Sequence, residues 1–541
     1  MQELGVGRWV VLVLLAYGCG DGSGESFDAG VDRGVREAGR PDAMLRDSEP
    51  PPELSCDLVG ETLDEDWGPS ESTGRTVACF DVRSDSDEER EEQVAYSSVP
   101  VAEGFGLVTS DRLVVIGADN RRVPAQFEVL ARWGGPIADE SRAIRWLGVS
   151  VPVKIDAGAS HAYAILQQED APAQVRVAGD LSVEAGEGGL VINTGAALFT
   201  LAAAEPGLLR SVDLTGADGS TLRAYDSAIG DGSGPRLVLE TGSGSTAIDS
   251  SASSGGEVVP DEGAELSLIA SGPVRVVVAQ SGHFVAADGV SRCEADPAAY
   301  EALGYTLLLT FSRGSSHVDV EFHFRNECSD LSFGPWTDQA ARVRSLSLEF
   351  PLSLSAERNV FAAGSAELSS MASPSAEVAV EQRSGAYAGA DWTRRARVRV
   401  GSASIEMGEE FSRPFAGVSD GVVGAYAFVP WMRFREPQAV AVGADRLSLR
   451  FVSESVVVGE ARGIWNHARV GFGRSLELSD MQSHRAAAVS GLERSLLVHP
   501  TRTTLNGARV FPSVGDDSPS ALREPPPLRR WFLGRAPSSS G

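Results

Sequence analysis

The stretch from His317 to Arg325 alternates polar and apolar residues without a break, and this pattern strongly constrains the fold. A period of two is typical of a β-strand whose two faces meet different surroundings. The apolar face must lie against a core and comprises Val318, Val320, Phe322 and Phe324. The opposite face comprises His317, Asp319, Glu321, His323 and Arg325. Because antiparallel sheets commonly expose one face to water, these polar side chains form either a solvated outer surface or the floor of a polar cleft.

Short β-type runs continue through most of the 541-residue chain, from about residue 93 to residue 475. They are rich in Val, Leu and Phe and are bounded by Gly, Asp, Ser and Pro, as in PRLVLETGSG and GPVRVVVAQSG. Helical periodicity is scarce, and its best candidate, Asp296–Leu303, is short. The sequence therefore predicts an all-β protein built from barrels or sandwiches.

The chain is strongly acidic, with a formal net charge of −28. A nucleic-acid-binding face needs clustered cations, so this charge argues against a nucleic-acid partner. Much of the acidity lies near the N-terminus, where residues 20 to 92 hold 22 acidic and 7 basic side chains. Such a composition is typical of a solvated, disordered segment. We therefore expect a flexible linker at residues 19–53 and an acidic, disulfide-bearing segment at residues 54–92.

Residues 1–18 have the composition of an export signal. Arg8 precedes an apolar run from Trp9 to Ala16 that is too short to span a bilayer. The segment LAYGC, which ends at Cys19, resembles the bacterial lipobox, although Ala16 stands where a leucine is usual. We expect Cys19 to be lipidated and to anchor an exported outer-membrane or cell-surface lipoprotein in the membrane. Ordinary cleavage and release, into the periplasm or the medium, is the alternative.

Four further cysteines follow Cys19, and an even number in an exported chain favours disulfides. They allow three pairings, and we predict the local one, Cys56–Cys79 with Cys293–Cys328, because each pair brackets a short segment. The sequence holds no C-x-x-C motif, so a zinc ribbon or thioredoxin-like centre is not expected. We expect neither a metal nor a cofactor.

Three segments near the start of the β-rich region carry a family resemblance. They are SSVPVAEGF (97–105), DNRRVPAQFEVLARW (119–133) and AIRWLGVSV (143–151). These segments resemble the N-terminal barrel of the exo-rhamnogalacturonan lyase-like (PcRGLX/YetA-like) family. Weaker similarity continues through GGLVINTGAALFTL, SGPVRVVVAQSG, FVPWMRFREPQAVAV and GEARGIWNHARVGF. The resemblance implies a small RIFT-type β-barrel at 93–172 and a large, supersandwich-like β-sandwich at 173–476. The sequence of residues 477–541 itself predicts a short helix and a disordered tail.

The family's full-length members continue into a helical toroid that the resemblance associates with lyase activity. About a dozen helices of roughly 11–12 residues each would exceed the residues that follow position 476. The resemblance therefore implies the fold of the front end without its catalytic domain. We expect a shortened, non-catalytic relative or a truncated reading frame.

Two pairs of residues have the chemistry that β-elimination of a uronide requires. This reaction needs a base to remove the proton beside the carboxylate and a cation to neutralise that carboxylate. His323 with Arg325, and His467 with Arg462, are the candidates, although each His is more simply interpreted as a surface or strand-edge residue. The G-x-S-x-G match at Gly417–Gly421 precedes a strand instead of a helix, so we predict an ordinary turn there.

Tryptophans provide the remaining clue to function, because exposed aromatic rings stack on sugars whereas buried ones fill cores. Two Arg-Trp pairs end at Trp133 and Trp146; we predict that Trp146 is buried and that Trp133, before a turn, is exposed. Trp133 and Trp465 are the candidate ligand-binding residues. We predict a non-catalytic, carbohydrate-associated envelope protein with a pectin-like or other polysaccharide ligand. A polysaccharide lyase and a structural or protein-binding envelope component are the alternatives.

Overall fold

The protein is described from a computed structural model. The described residues are 56–58, 74–84, 90–118, 120–169, 181–186, 189–202, 209–216, 218–227, 234–239, 257–260, 265–286, 303–326, 341–352, 354–372, 376–383, 396–408, 410–430, 432, 437–443, 445–454, 456–458, 463–493, 496, 498–501 and 504–505. Strands dominate them, which confirms the predicted all-β class. Within these ranges, no helix is long and apolar enough to cross a membrane.

A small domain contains two antiparallel sheets that pack around one core. Across the first sheet the strands are β31 (Val498–Pro500), β1 (Arg75–Arg83), β7 (Ser160–Gln167), β3 (Leu113–Ile116) and β4 (Arg122–Val123). Across the second they are β2 (Arg90–Pro100), β6 (Ile144–Ile155) and β5 (Gln126–Arg132). A single turn of 3-10 helix, Glu103–Phe105, follows β2.

The two sheets of the small domain differ from the closed barrel that the family resemblance implies. Among the described residues, no ladder of hydrogen bonds joins one sheet to the other. Pro124, which lacks a backbone N–H, separates β4 from β5 where the chain passes between the sheets. The strands β1 and β31 lie outside residues 93–172, yet both belong to the first sheet.

The C-terminal segment completes the small domain. Leu496 is fully buried in its core, and the backbone oxygen of Leu496 accepts a hydrogen bond from the backbone N–H of Tyr96. Thr504 Oγ1 accepts from the backbone N–H of Cys79 and donates to its carbonyl oxygen. The predicted Cys56–Cys79 disulfide is confirmed, and it fixes the chain before β1 to the same sheet. Cys19, Cys293 and Cys328 lie outside the described residues.

The larger domain is a β-sandwich, as predicted, and each of its two large sheets is antiparallel throughout. The first large sheet contains, in order, β15 (Glu265–Ser271), β16 (Arg275–Ala286), β17 (Leu303–Ser312), β18 (His317–Asn326), β30 (Gly463–Arg474), β26 (Val423–Phe428), β25 (Phe415–Ser419), β20 (Asn359–Ala363) and β21 (Ser369–Ala372). Leu303, the last residue of the predicted helix, begins β17; the rest of that helix lies outside the described residues.

The second large sheet faces the first across the core and is linked to it where β14 pairs with β16. Its strands are, in order, β14 (Glu257–Pro260), β13 (Gly234–Leu239), β19 (Ala341–Pro351), β28 (Arg446–Val452), β27 (Gln438–Val442), β22 (Val378–Gln382), β23 (Ala396–Val400) and β24 (Ala403–Gly408). The short β29 (Val456–Val458) also pairs with β19.

A third, five-stranded sheet contributes apolar side chains to the same core. Its strands are β8 (Ser182–Gly186), β9 (Gly189–Asn193), β10 (Ala197–Ala202), β11 (Ser211–Thr215) and β12 (Thr221–Asp226). Phe199 of β10 contacts Phe311 of the first large sheet, and Tyr225 of β12 contacts Phe350 of the second. These aromatic pairs connect the third sheet to both large sheets.

Helix α1 (Leu478–Glu493) covers part of the outer face of the first large sheet. Its buried side chains Met481, Ala488 and Leu492 pack against aromatic residues of the sheet, which are Phe361, Phe415, Tyr426 and Phe428. The Arg485 guanidinium donates to the backbone oxygens of Gly364, Ala366 and Arg413, so α1 is held by hydrogen bonds as well as by apolar contacts.

The two domains meet where β16 begins. The backbone N–H of Arg275 donates to Gln126 Oε1 at 3.0 Å, and the Arg275 guanidinium donates to both carboxylate oxygens of Glu128. The same guanidinium lies over the ring of Tyr96, 3.6 Å from its centroid. The Arg275 guanidinium thus joins the first large sheet to the small domain through an ion pair with Glu128 and a cation–π contact with Tyr96.

Candidate functional site

The polar face of the first large sheet is built from four adjacent strands, β16, β17, β18 and β30. Alternation turns every second side chain of each strand away from the core, and the antiparallel registers set these side chains in rows across the strands. We call the outward side chains of these strands the polar face. Its four rows are His283–Gly304–Arg325–Gly463, Ser281–Thr306–His323–Trp465, Ala279–Leu308–Glu321–His467 and Val277–Thr310–Asp319–Arg469.

The second of these rows is polar or aromatic at every position. It presents two hydroxyls, an imidazole and an indole, from Ser281, Thr306, His323 and Trp465 in that order. Trp465 is 37% exposed, which is high for so large an apolar side chain. The His323 and Trp465 rings lie with their centroids 6.0 Å apart and their planes at 53°. An exposed indole beside an imidazole and hydroxyls is a surface with both stacking and hydrogen-bonding capacity.

Glu321 lies at the centre of the polar face, opposite His467 in the register. Its carboxylate oxygen is 3.7 Å from His323 Nε2. Burial opposes ionisation of Glu321, but the neighbouring His323, His467 and Trp465 side chains favour the carboxylate and outweigh it, so its pKa lies below the usual value. Glu321 therefore carries a negative charge at neutral pH and lies beside the imidazole and indole groups.

The fourth row is closed by an ion pair and by helix α1. Arg469 donates to the two carboxylate oxygens of Asp319 at 2.6 and 2.8 Å, and its third nitrogen donates to the backbone oxygen of Ala487 in α1. Burial opposes ionisation of Asp319, yet the adjacent Arg469 keeps its pKa below the usual value. Burial, reinforced by Arg469, lowers the pKa of His317 to about 3, so His317 is neutral.

The helix adds one further polar contact at this end of the face. The Tyr426 hydroxyl and His484 Nδ1 are 3.2 Å apart, and the two rings stack with centroids 4.6 Å apart. Burial raises the pKa of Tyr426, so its hydroxyl stays protonated. This contact lies in the row after the fourth, because Tyr426 pairs with Gly471, which pairs with His317.

The polar face brings together residues that the sequence predicted separately. His323 and Arg325 lie on β18, and His467 and Trp465 lie on the adjacent β30, so four predicted site residues share one face. Arg462 lies outside the described residues. Glu321 is the residue of this group that the sequence did not single out.

The two Arg-Trp pairs of the small domain have structural partners. Arg132 is buried and donates to the backbone oxygens of Val108, Ile137 and Arg142. Trp133 is half-buried, and its indole N–H donates to the Val101 oxygen at 3.1 Å. The Arg145 guanidinium lies 5.0 Å from the Trp133 ring centroid, and Trp146 is also half-buried. These contacts hold one loop and two strands together.

The fold explains the G-x-S-x-G match. Gly417–Gly421 spans the end of β25 and a turn into β26, and Ser419 is buried, so the predicted turn is present and no strand-to-helix elbow forms. In the parts of the chain that the structure describes, no group of three or more His, Cys, Asp or Glu side chains is arranged to hold a metal ion.

The sheets and the polar face define an all-β protein of sandwich type. No protein-family model matches the sequence, and no similar sequence is found among curated proteins. Among solved structures, a glycosyl hydrolase family 38 protein from Enterococcus faecalis is similar over 79% of this chain and 47% of that chain, with a TM-score of 0.43 and 11% identity. This chain thus spans about half the length of that protein.

Two further solved structures are similar over a smaller share of this chain. A putative aldose 1-epimerase from Klebsiella pneumoniae is similar over 57% of this chain and 87% of that chain, with a TM-score of 0.31 and 12% identity. A galactose mutarotase-like protein from Lactobacillus casei is similar over 54% of this chain and 100% of that chain, with a TM-score of 0.27 and 9% identity. These similarities concern the arrangement of strands alone.

Proposed function

We propose that the polar face binds carbohydrate and that the protein is a carbohydrate-associated protein of the cell envelope. The observation that carries this proposal is the row Ser281–Thr306–His323–Trp465, which sets an exposed indole in line with an imidazole and two hydroxyls. A sugar ring stacks its apolar face on an aromatic side chain while its hydroxyls form hydrogen bonds at the edges. The row supplies both kinds of contact.

The charged neighbours of this row favour an acidic sugar, as in a pectin-like polysaccharide. Arg325 is exposed and lies two residues from His323 on the same face of β18, and a guanidinium pairs with a carboxylate through two parallel hydrogen bonds. The Glu321 carboxylate lies 3.7 Å from His323 Nε2, on the same face as this row. The sugar carboxylate would then lie beside Arg325.

Replacing Trp465 with alanine is expected to lower the affinity for acidic oligosaccharides at least tenfold, equivalent to about 1.4 kcal/mol. The loss follows because the stacking surface disappears while the backbone of β30 is unchanged. The measurement is isothermal titration of the full chain with galacturonate oligosaccharides. Met407→Ala, an exposed apolar side chain on the distant edge strand β24, is the matched control and is expected to bind like the unaltered protein. Equal affinity of the Trp465→Ala variant would contradict the proposal.

A second candidate activity is β-elimination of a uronide, and the convergence of His323, Arg325 and His467 on one face favours it. An imidazole would remove the proton beside the sugar carboxylate, Arg325 would neutralise that carboxylate, and the leaving group would depart with its electron pair as the double bond forms. Ultraviolet absorbance of this double bond, followed during incubation with the same oligosaccharides, tests the activity. Absorbance that stays constant over hours would show that the protein binds these oligosaccharides without cleaving them.

We further propose that the protein is exported and anchored by a lipid on Cys19. Support comes from the sequence of residues 1–19, which lie outside the described residues, and from the disulfide Cys56–Cys79, since disulfides persist in oxidising compartments. A Cys19→Ser variant is expected to leave the membrane fraction in cells fractionated after expression. A variant that stays in the membrane would contradict lipid anchoring.

A further inference from the structure

We infer that the ligand is an oligosaccharide that lies across the strands, from Trp465 on β30 to a second contact point at Ser281 and His283 on β16. This inference rests on the proposed function, because it specifies the length and direction of the carbohydrate that the polar face takes. It differs from binding of a single sugar at Trp465, which would leave the residues of β16 unused.

The dimensions of the polar face support a ligand of several units. Trp465 and Ser281 are the β30 and β16 members of one row, which β15 continues at Glu265, and they are separated by three interstrand spacings. At about 4.8 Å for each spacing, the row is about 14 Å long. One pyranose ring covers the Trp465 indole and leaves most of this length for further units.

The chemistry of the row continues over its whole length. The hydroxyls of Thr306 and Ser281 can each donate and accept a hydrogen bond, which matches the hydroxyls of a sugar. His283 stands beside Ser281 on the same face of β16 and opposite Gly304 on β17. Gly304 has no side chain, so the surface of the first row is depressed between the side chains of His283 and Arg325. A chain of sugar units would lie along the second row with these two side chains at its flank.

The residues on either side of the second row indicate that the ligand lies across the strands and not along them. In one direction the third row turns apolar on β16 and β17, at Ala279 and Leu308. Beyond it, the Asp319–Arg469 ion pair and its bond to α1 close the fourth row. Among the described residues, β26 pairs with β30 only from Arg469 onward, so Trp465 stands at the β30 end of its row. The continuous polar path therefore runs from Trp465 towards β16.

The test is to measure affinity as a function of chain length for the full-length protein and for two variants. With galacturonate oligosaccharides, affinity is expected to rise at least tenfold from the disaccharide to the tetrasaccharide. The Thr306→Val variant keeps the side-chain volume and lacks the hydroxyl. This variant and the double variant Ser281→Ala, His283→Ala are each expected to lose most of this rise in affinity. Each variant is expected to weaken binding of the tetrasaccharide by a larger factor than binding of the disaccharide. Ser404→Ala, an exposed serine on β24, is the control for a lost surface hydroxyl.

The outcomes separate this inference from the proposed function. If Trp465→Ala abolishes binding and the unaltered protein binds disaccharide and tetrasaccharide equally, the carbohydrate function stands and the extended path is wrong. The same conclusion follows if the β16 and β17 variants keep the full length dependence. If no oligosaccharide of any length binds, the proposed function itself fails. Far-ultraviolet circular dichroism of each variant shows whether the fold is kept.

Discussion

Replacing Arg469 with alanine is expected to destabilise the protein by about 3–5 kcal/mol, because the Asp319 carboxylate, whose side chain is only 17% exposed, loses its partner. The bond from Arg469 to the Ala487 oxygen is lost as well, which loosens α1 from the first large sheet. Urea-induced unfolding, compared with the unaltered protein, measures the change. The double variant Asp319→Ala, Arg469→Ala should recover part of the loss, since it leaves no uncompensated charge.

The pH dependence gives this prediction a second readout. The pKa of Asp319 is lowered in the folded protein, so its ionised form stabilises the fold at neutral pH, and this contribution is lost as pH falls through the folded pKa. The difference in stability between the unaltered protein and Arg469→Ala should therefore be largest near neutral pH and narrow in acid. Arg223→Ala, which removes a more exposed pair with Asp213, serves as the control and should cost about 1 kcal/mol or less. A loss of that small size for Arg469→Ala would contradict the account.

Replacing Leu496 with alanine is expected to cost about 2–5 kcal/mol, because a buried leucine leaves a cavity in the small-domain core. The position lies between α1, which packs on the sandwich, and β31, which completes the first sheet of the small domain. The cavity should therefore weaken the packing of the C-terminal segment against β1 and β2. Thermal and urea unfolding measure the loss.

Leu478→Ala is the matched control for that variant. Leu478 belongs to the same C-terminal segment but is 38% exposed, so its truncation should change stability by about 0.5 kcal/mol at most. Equal effects at positions 478 and 496 would show that the C-terminal segment is not integrated into the small-domain core.

The period-two pattern of residues 317–325 was sufficient to predict which side chains of β18 face the core. Val318, Val320, Phe322 and Phe324 are all buried, because alternation follows from strand geometry alone. The neighbours of β18 depend instead on long-range pairing. His323 lies opposite Trp465, which is 142 positions away in the sequence, and no local pattern specifies that register.

The missed residue Glu321 illustrates the same limit. Its place in the alternation was evident, but its partners His467 and Trp465 come from β30. The signal that was available is a second alternation, at Trp465, His467 and Arg469. Alternation identifies the polar face of each strand, but it does not identify which strands pair.

The small domain shows why a family resemblance does not determine closure of a sheet. Its apolar pattern specifies a common core, which the two sheets share. Whether eight strands close into a barrel depends on hydrogen-bond register and on interruptions such as Pro124. The recurring Arg-Trp pairs are likewise explained by local packing, since Arg132 organises a loop and Arg145 lies over Trp133.

The most direct test of the carbohydrate site is the imidazole NMR spectrum of the full chain during titration with a galacturonate tetrasaccharide. The account predicts that the resonances of His323 and His467 shift in a saturable manner, while that of His161, buried in the small domain, stays in place. Assignment by His323→Gln and His467→Gln variants identifies the signals. Saturable shifts confined to His161, or no shift of His323 and His467 at saturating ligand, would contradict a carbohydrate site on the polar face.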